Sequence, residues 1–88
     1  MTPLVLIVDD NQTNRKLARD VLRLAGFRTL EAATGAEGIA LADDQLPDVI
    51  LMDLRLPDMD GTDAARAIGA GPWWIPGFWF GQVEPLRR

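Results

Sequence analysis

With 88 residues, 48% hydrophobic and 25% charged, the chain has the balance of one small folded domain, which excludes wholesale disorder. Nine basic residues scattered among thirteen acidic ones leave a net charge of −4, and this excludes the electropositive face that nucleic acid requires. Cysteine, histidine, serine and tyrosine are all absent, so disulfides, thiolate or imidazole metal sites and serine- or cysteine-based catalysis drop out together.

The chain opens on "MTPLVLIVDDN", which turns acidic too early for a signal peptide, and no apolar run approaches the roughly 20 residues of a membrane span. A cytoplasmic chain is expected. Leu4 to Val8 is a short continuous apolar run rich in branched residues, the pattern of a strand covered on both faces. After polar "DDNQTN" comes "RKLARDVLRLAG". There Leu17, Ala18, Val21, Leu22 and Ala25 recur at helical spacing, and Gly26 supplies a stop. "FRTLEA" alternates apolar with polar residues, which predicts a half-exposed strand near Arg28 to Ala32 at a sheet edge.

In "TGAEGIALA", Thr34 stands three residues before Glu37, the spacing for reciprocal capping of a helix amino terminus. A second helix is predicted to about Asp43. "DVILMD" reads as another buried strand, and "GTDAARAIG" as a short third helix ended by glycine. The order βαβαβα implies an open α/β fold, a parallel sheet with right-handed crossovers. At Gly69 the composition changes: residues 70–88 hold Trp73, Trp74, Phe78, Trp79 and Phe80 among glycines and prolines. They follow neither period, so the chain divides into a unit at 1–69 and an irregular aromatic tail at 70–88. Within the tail, "IPGFWF" has room for a short strand at most, interrupted by Gly77.

Ligands of open parallel sheets bind beyond the carboxyl ends of the strands. Asp9 and Asp10 follow the first strand and Asp53 ends the third; in a sheet of order 2-1-3 these strands are neighbours and the three carboxylates converge. Held close, they repel unless a cation sits among them, and an all-oxygen set suits Mg²⁺ or Mn²⁺. Singly, each aspartate also reads as a turn residue or helix cap.

The stretches "VLIVDDNQTNRKLARDVLRLAGF", "EAATGAEGIALA" and "PDVILMDLRLPDMDGTDAAR" together resemble the receiver domains of two-component response regulators. The resemblance implies a flavodoxin-like fold, Asp53 as phosphoacceptor, Asp10 as a direct Mg²⁺ ligand, Asp9 as an acid acting on the ion directly or through water, and the main-chain carbonyl of Arg55 as a further ligand. Pro57 and Gly61 match the loop after the acceptor. A histidine kinase or phosphotransfer protein is the implied partner. A receiver's fourth strand ends in a serine or threonine and its fifth in a lysine, both contacting the phosphoryl group. Between Ala64 and Arg88 there is no serine, threonine or lysine. A receiver truncated after its third helix, with an impaired switch, is therefore expected; the alternative is a non-switching module for binding and assembly.

Two further expectations follow. "DMDGT", Asp58 to Thr62, also resembles the nucleophile signature of haloacid-dehalogenase-type phosphatases, with Asp58 attacking phosphate and Asp60 as acid and base. The third strand, lacking a fourth beside it, would present an open edge. A homo-oligomer through that edge and the tail aromatics is expected; the alternative is a tail that folds back on its own chain, with "IPGFWF" lying where a fourth strand would come. Membrane association, which only Arg87 and Arg88 would assist, is not expected.

Overall fold

In the computed structural model, residues 2–69 and the backbone of 74–76 are described. The elements are β1 (Leu4–Val8), α1 (Gln12–Leu24), β2 (Arg28–Ala32), α2 (Gly35–Gln45), β3 (Val49–Met52), α3 (Gly61–Ile68) and β4 (Trp74–Pro76). All strand pairs are parallel, in the order β2-β1-β3-β4. The expected 2-1-3 order is present, with β2 at one edge. The added strand is the difference: Ile50, Leu51 and Met52 pair with Trp74, Ile75 and Pro76. The outer edge of β3 is therefore satisfied over those residues within the chain and is not left for a second copy. β4 stops before Gly77, at a proline that has no N–H to continue a ladder. Trp73, Phe78, Trp79 and Phe80 lie outside the described residues, as does the side chain of Trp74.

Successive strand residues point to opposite faces, so the run Leu4–Val8 feeds two cores. Leu6 and Val8 join Ala32, Ala42, Ile50, Met52 and Ala64 under α2 and α3. Val5 and Ile7 join Ala18 beneath α1, with Leu22, Phe27, Val49 and Leu51 packed alongside. Leu6, Ile7, Ile50 and Met52 are fully enclosed, each stabilising the fold by about 1.5–3 kcal/mol. Gly38 lets α2 lie on β1: a Cβ there would stand 2.9 Å from Val8 Cγ2.

The helices depart from the sequence pattern at their ends. α1 begins three residues before Arg15, because Asn11 caps it by accepting from the Asn14 amide at 3.0 Å. Its core stripe is narrower than the spacing suggested. Ala18 is buried and Leu22 packs on the core, whereas Leu17 and Val21 are 49% and 55% exposed, since this helix has the sheet on one side only. At α2, Thr34 Oγ1 accepts from the Glu37 amide at 3.1 Å. Glu37 Oε1 reaches one residue beyond the expected partner, to the Ala33 amide at 2.9 Å. The helix runs on to Gln45 and closes with Leu46 in the left-handed region, φ 49°.

Candidate metal centre

Strand register positions the acids. Val8 of β1 lies opposite Met52 of β3, so the next residues, Asp9 and Asp53, leave the two central strands side by side. The ladder runs one step further here: the Asp53 amide donates to Val8 O at 2.8 Å and the Asp9 amide to Ala32 O at 3.0 Å. Both aspartates are buried, at 3% and 6% exposure, whereas the other buried side chains among the described residues are apolar. Asp10 is exposed at the mouth. One carboxylate oxygen from each of Asp9, Asp10 and Asp53 lies within 4.8 Å of the others. Two oxygens on one cation lie at most about 5 Å apart for Ca²⁺ and about 4.2 Å apart for Mg²⁺, so this all-oxygen set has the size and chemistry for a single hard cation, and the smaller Mg²⁺ or Mn²⁺ would draw the carboxylates slightly closer.

The electrostatics point the same way. Burial pushes the Asp53 carboxyl above its ordinary pKa, the charges of Asp9 and Asp10 push it further, and the amides of Arg55 and Leu54 pull it partly back. Arg55 meets the cluster through its main-chain amide, which donates to Asp53 Oδ1 at 3.4 Å. Asp9 Oδ1 accepts from the Asn11 amide at 2.9 Å, and Asp9 O accepts from Arg15 Nη1 at 2.8 Å.

The segment after Asp53 closes on itself. Arg55 and Asp60 form an antiparallel bridge, the Leu56 amide donates to Met59 O at 3.1 Å, and the Gly61 amide to Leu54 O at 2.7 Å. Gly61 is required at the neck, where a Cβ would collide with the carbonyl oxygen of Asp53. Asp58 crosses to α2, its two carboxylate oxygens accepting from the Gly35 and Ala36 amides at 2.8 and 2.9 Å. Those bonds hold its carboxyl below the ordinary pKa. The phosphatase reading of Asp58 and Asp60 does not fit this arrangement: Asp58 is engaged at a helix terminus, and β3 ends at Met52, before either residue. Asp60 precedes α3 as its N-cap residue, and Asp63 pairs with Arg66 at 2.9 Å.

A parallel sheet ordered 2-1-3, flanked by helices on both faces and carrying acids beyond its two central strands, defines a flavodoxin-like α/β protein of the receiver type. A family model for the response regulator receiver domain matches residues 5–76, and the chain belongs to that family, a module of two-component signalling. It is 41% identical over 66 residues to the polar-differentiation response regulator DivK of Brucella ovis, covering 75% of this chain and 54% of DivK. The chain spans about half the length of the curated relatives it matches. Among solved structures it resembles a CheY-like receiver domain protein from Methanospirillum hungatei, with a TM-score of 0.77 at 30% identity, over 86% of this chain and 62% of that one. It also resembles the chemotaxis protein CheY4 of Vibrio cholerae, with a TM-score of 0.75 at 34% identity, over 77% and 57%. No described helix is long and apolar enough to cross a membrane.

Proposed function

We propose that the chain binds Mg²⁺ or Mn²⁺ through Asp9, Asp10, Asp53 and the Arg55 carbonyl, and that Asp53 accepts a phosphoryl group in a phosphorelay. The donor is a histidine kinase, a phosphotransfer protein or a small phosphodonor, met in the cytoplasm. The observation that carries this reading is the gathering of three carboxylates, two of them buried, within 4.8 Å at the carboxyl end of the sheet. A bound divalent cation would neutralise the charge shared by the carboxylates and the incoming phosphoryl oxygens.

The chain's own residues do the rest. An Asp53 oxygen attacks phosphorus, the bond from phosphorus to the donor's leaving group breaks with its electron pair, and an acyl phosphate remains on Asp53. The Arg55 amide and the closed loop beyond it hold the carboxylate in place for that attack. Residues 64–88 supply no serine, threonine or lysine, so we read the response of this chain to phosphorylation as weakened. The same lack favours the second reading, a receiver fold kept for binding and assembly. With the β3 edge paired inside the chain, self-association falls to the tail aromatics, and light scattering with and without Trp79→Ala measures it.

Incubation with acetyl phosphate and Mg²⁺ followed by intact mass tests the first reading. One phosphoryl adduct, absent from Asp53→Asn, is expected; no adduct at saturating donor leaves the assembly reading in its place.

A further inference from the structure

Arg15 is placed against the local preference of its helix. It is the fourth residue of α1, whose first turn carries no acidic side chain, and a cation near a helix amino terminus opposes the backbone dipole. Its side chain is only 18% exposed, so it is not a solvated surface charge. The guanidinium spans three elements. Nη1 donates to the carbonyl of Asp9 at 2.8 Å, and Nε faces Glu31 Oε1 at 3.5 Å. Glu31 lies on β2 opposite Ile7 of β1 and is also held by Arg19 Nη1 at 3.3 Å. Because a guanidinium is a rigid planar fork, the contact with Glu31 fixes the plane in which Nη1 reaches Asp9.

The acceptor of that bond is the peptide group between Asp9 and Asp10. The other groups of Asp9 that form hydrogen bonds are tied down too: its amide to Ala32 O and its Oδ1 to the Asn11 amide. Asp10 is exposed, and among the described residues no hydrogen bond to its carboxylate is formed. No side-chain partner among those residues holds it, so the place from which it reaches into the cleft follows the backbone, hence the orientation of the peptide that Arg15 grips.

Resting on the metal-binding reading above, we infer that Arg15 is a positioning residue for the cation. Held by Glu31, it clamps the Asp9–Asp10 peptide so that the Asp10 carboxylate stays within reach of Asp9 and Asp53. Arg15 touches neither ion nor substrate. Residues that orient metal ligands in this way typically change affinity by 10–100-fold when replaced.

The test uses the full chain and Mn²⁺ alone, with free Mn²⁺ counted by electron paramagnetic resonance, beside amide hydrogen exchange of the metal-free protein. Arg15→Met keeps the apolar stem and should weaken Mn²⁺ binding on the order of tenfold, while the Asn11 amide exchanges faster. Arg15→Lys can reach the Asp9 carbonyl without the planar fork, and should fall between wild type and Arg15→Met. Leu22→Ala, which trims the core under the same helix without touching the cluster, should lower the unfolding temperature and leave Mn²⁺ affinity unchanged, which separates positioning from general loosening. Mn²⁺ affinity in Arg15→Met within twofold of wild type, or unaltered exchange at Asn11, overturns the inference. If wild type itself takes up no Mn²⁺, the metal reading falls on its own. Exchange at Asn11 then decides the clamp: faster in Arg15→Met upholds it, unchanged refutes it.

Discussion

Asp53→Asn should stabilise the metal-free protein, although it alters the residue at the centre of the site. The asparagine side chain is nearly isosteric with the carboxylate it replaces, and its carbonyl can still accept from the Arg55 amide, so the main change is the loss of one charge. Asp9 and Asp53 are both buried, with ligand oxygens no more than 4.8 Å apart. At an effective dielectric of about 20, two unit charges at that separation repel by about 3.5 kcal/mol. The cleft is open to water on the Asp10 side; halving the figure for this screening leaves roughly 2 kcal/mol. For a domain of this size that corresponds to a rise in Tm of roughly 8–15 °C. The sign agrees with the raised pKa of Asp53. A carboxyl that binds its proton more tightly folded than unfolded makes stability fall as pH rises from its unfolded pKa through its folded one, and the full penalty is present at neutral pH. Thermal unfolding by circular dichroism, in chelator and then in Mg²⁺, reads both halves of the argument. Mg²⁺ at a hundredfold over its Kd should raise wild type by about 2.7 kcal/mol, reversing the order of the two proteins. An Asp53→Asn protein that melts at or below wild type in chelator, or one that Mg²⁺ stabilises equally, would refute the reasoning.

Gly38→Ala should cost about 1–3 kcal/mol, because its Cβ must displace Val8 at the centre of the sheet; the urea midpoint should fall with the m-value unchanged. Gly61→Ala should cost at least as much, since the atom it meets is backbone, and should abolish the phosphoryl adduct by moving Asp53. Asp58 has a lowered pKa, so its contribution is fully present above its unfolded pKa and lost as pH falls through the folded value. Asp58→Asn should therefore flatten the acid limb of the stability curve below about pH 4, and an acid titration superimposable on wild type would count against the cap.

The sheet could be read from the sequence because its two kinds of strand leave different patterns. "LVLIV" is apolar on both faces and central; "RTLEA" alternates and lies at the edge. Asp9 and Asp53 were legible for the same reason, as the first polar residues after apolar strands. What the sequence hid depended on distance along the chain. Asp58 caps a helix that begins 23 residues earlier, and no local spacing announces such a bond. Glu37 matched the capping pattern but bonds one residue upstream. Arg15 resembled any other charge on an amphipathic helix; only the tertiary structure shows its end on a carbonyl. β4 was the hardest element, because a three-residue strand ending in proline carries almost no periodic signal.

The Asp58 cap also bears on the order in which the molecule assembles. α2 contains Gly35 and Gly38 and so has weak intrinsic helicity. Two of its first amides wait for a carboxylate that comes after β3 in the chain, and β3 in turn pairs with β1, with Val5 opposite Val49. During synthesis α2 can complete its amino terminus only after residue 58 has left the ribosome and the loop has closed at Gly61. The helix and the loop that follows Asp53 should therefore gain their structure in one late kinetic step, so that substitutions at Gly35 or Asp58 chiefly accelerate unfolding, whereas those at Leu6 or Ile50 slow folding.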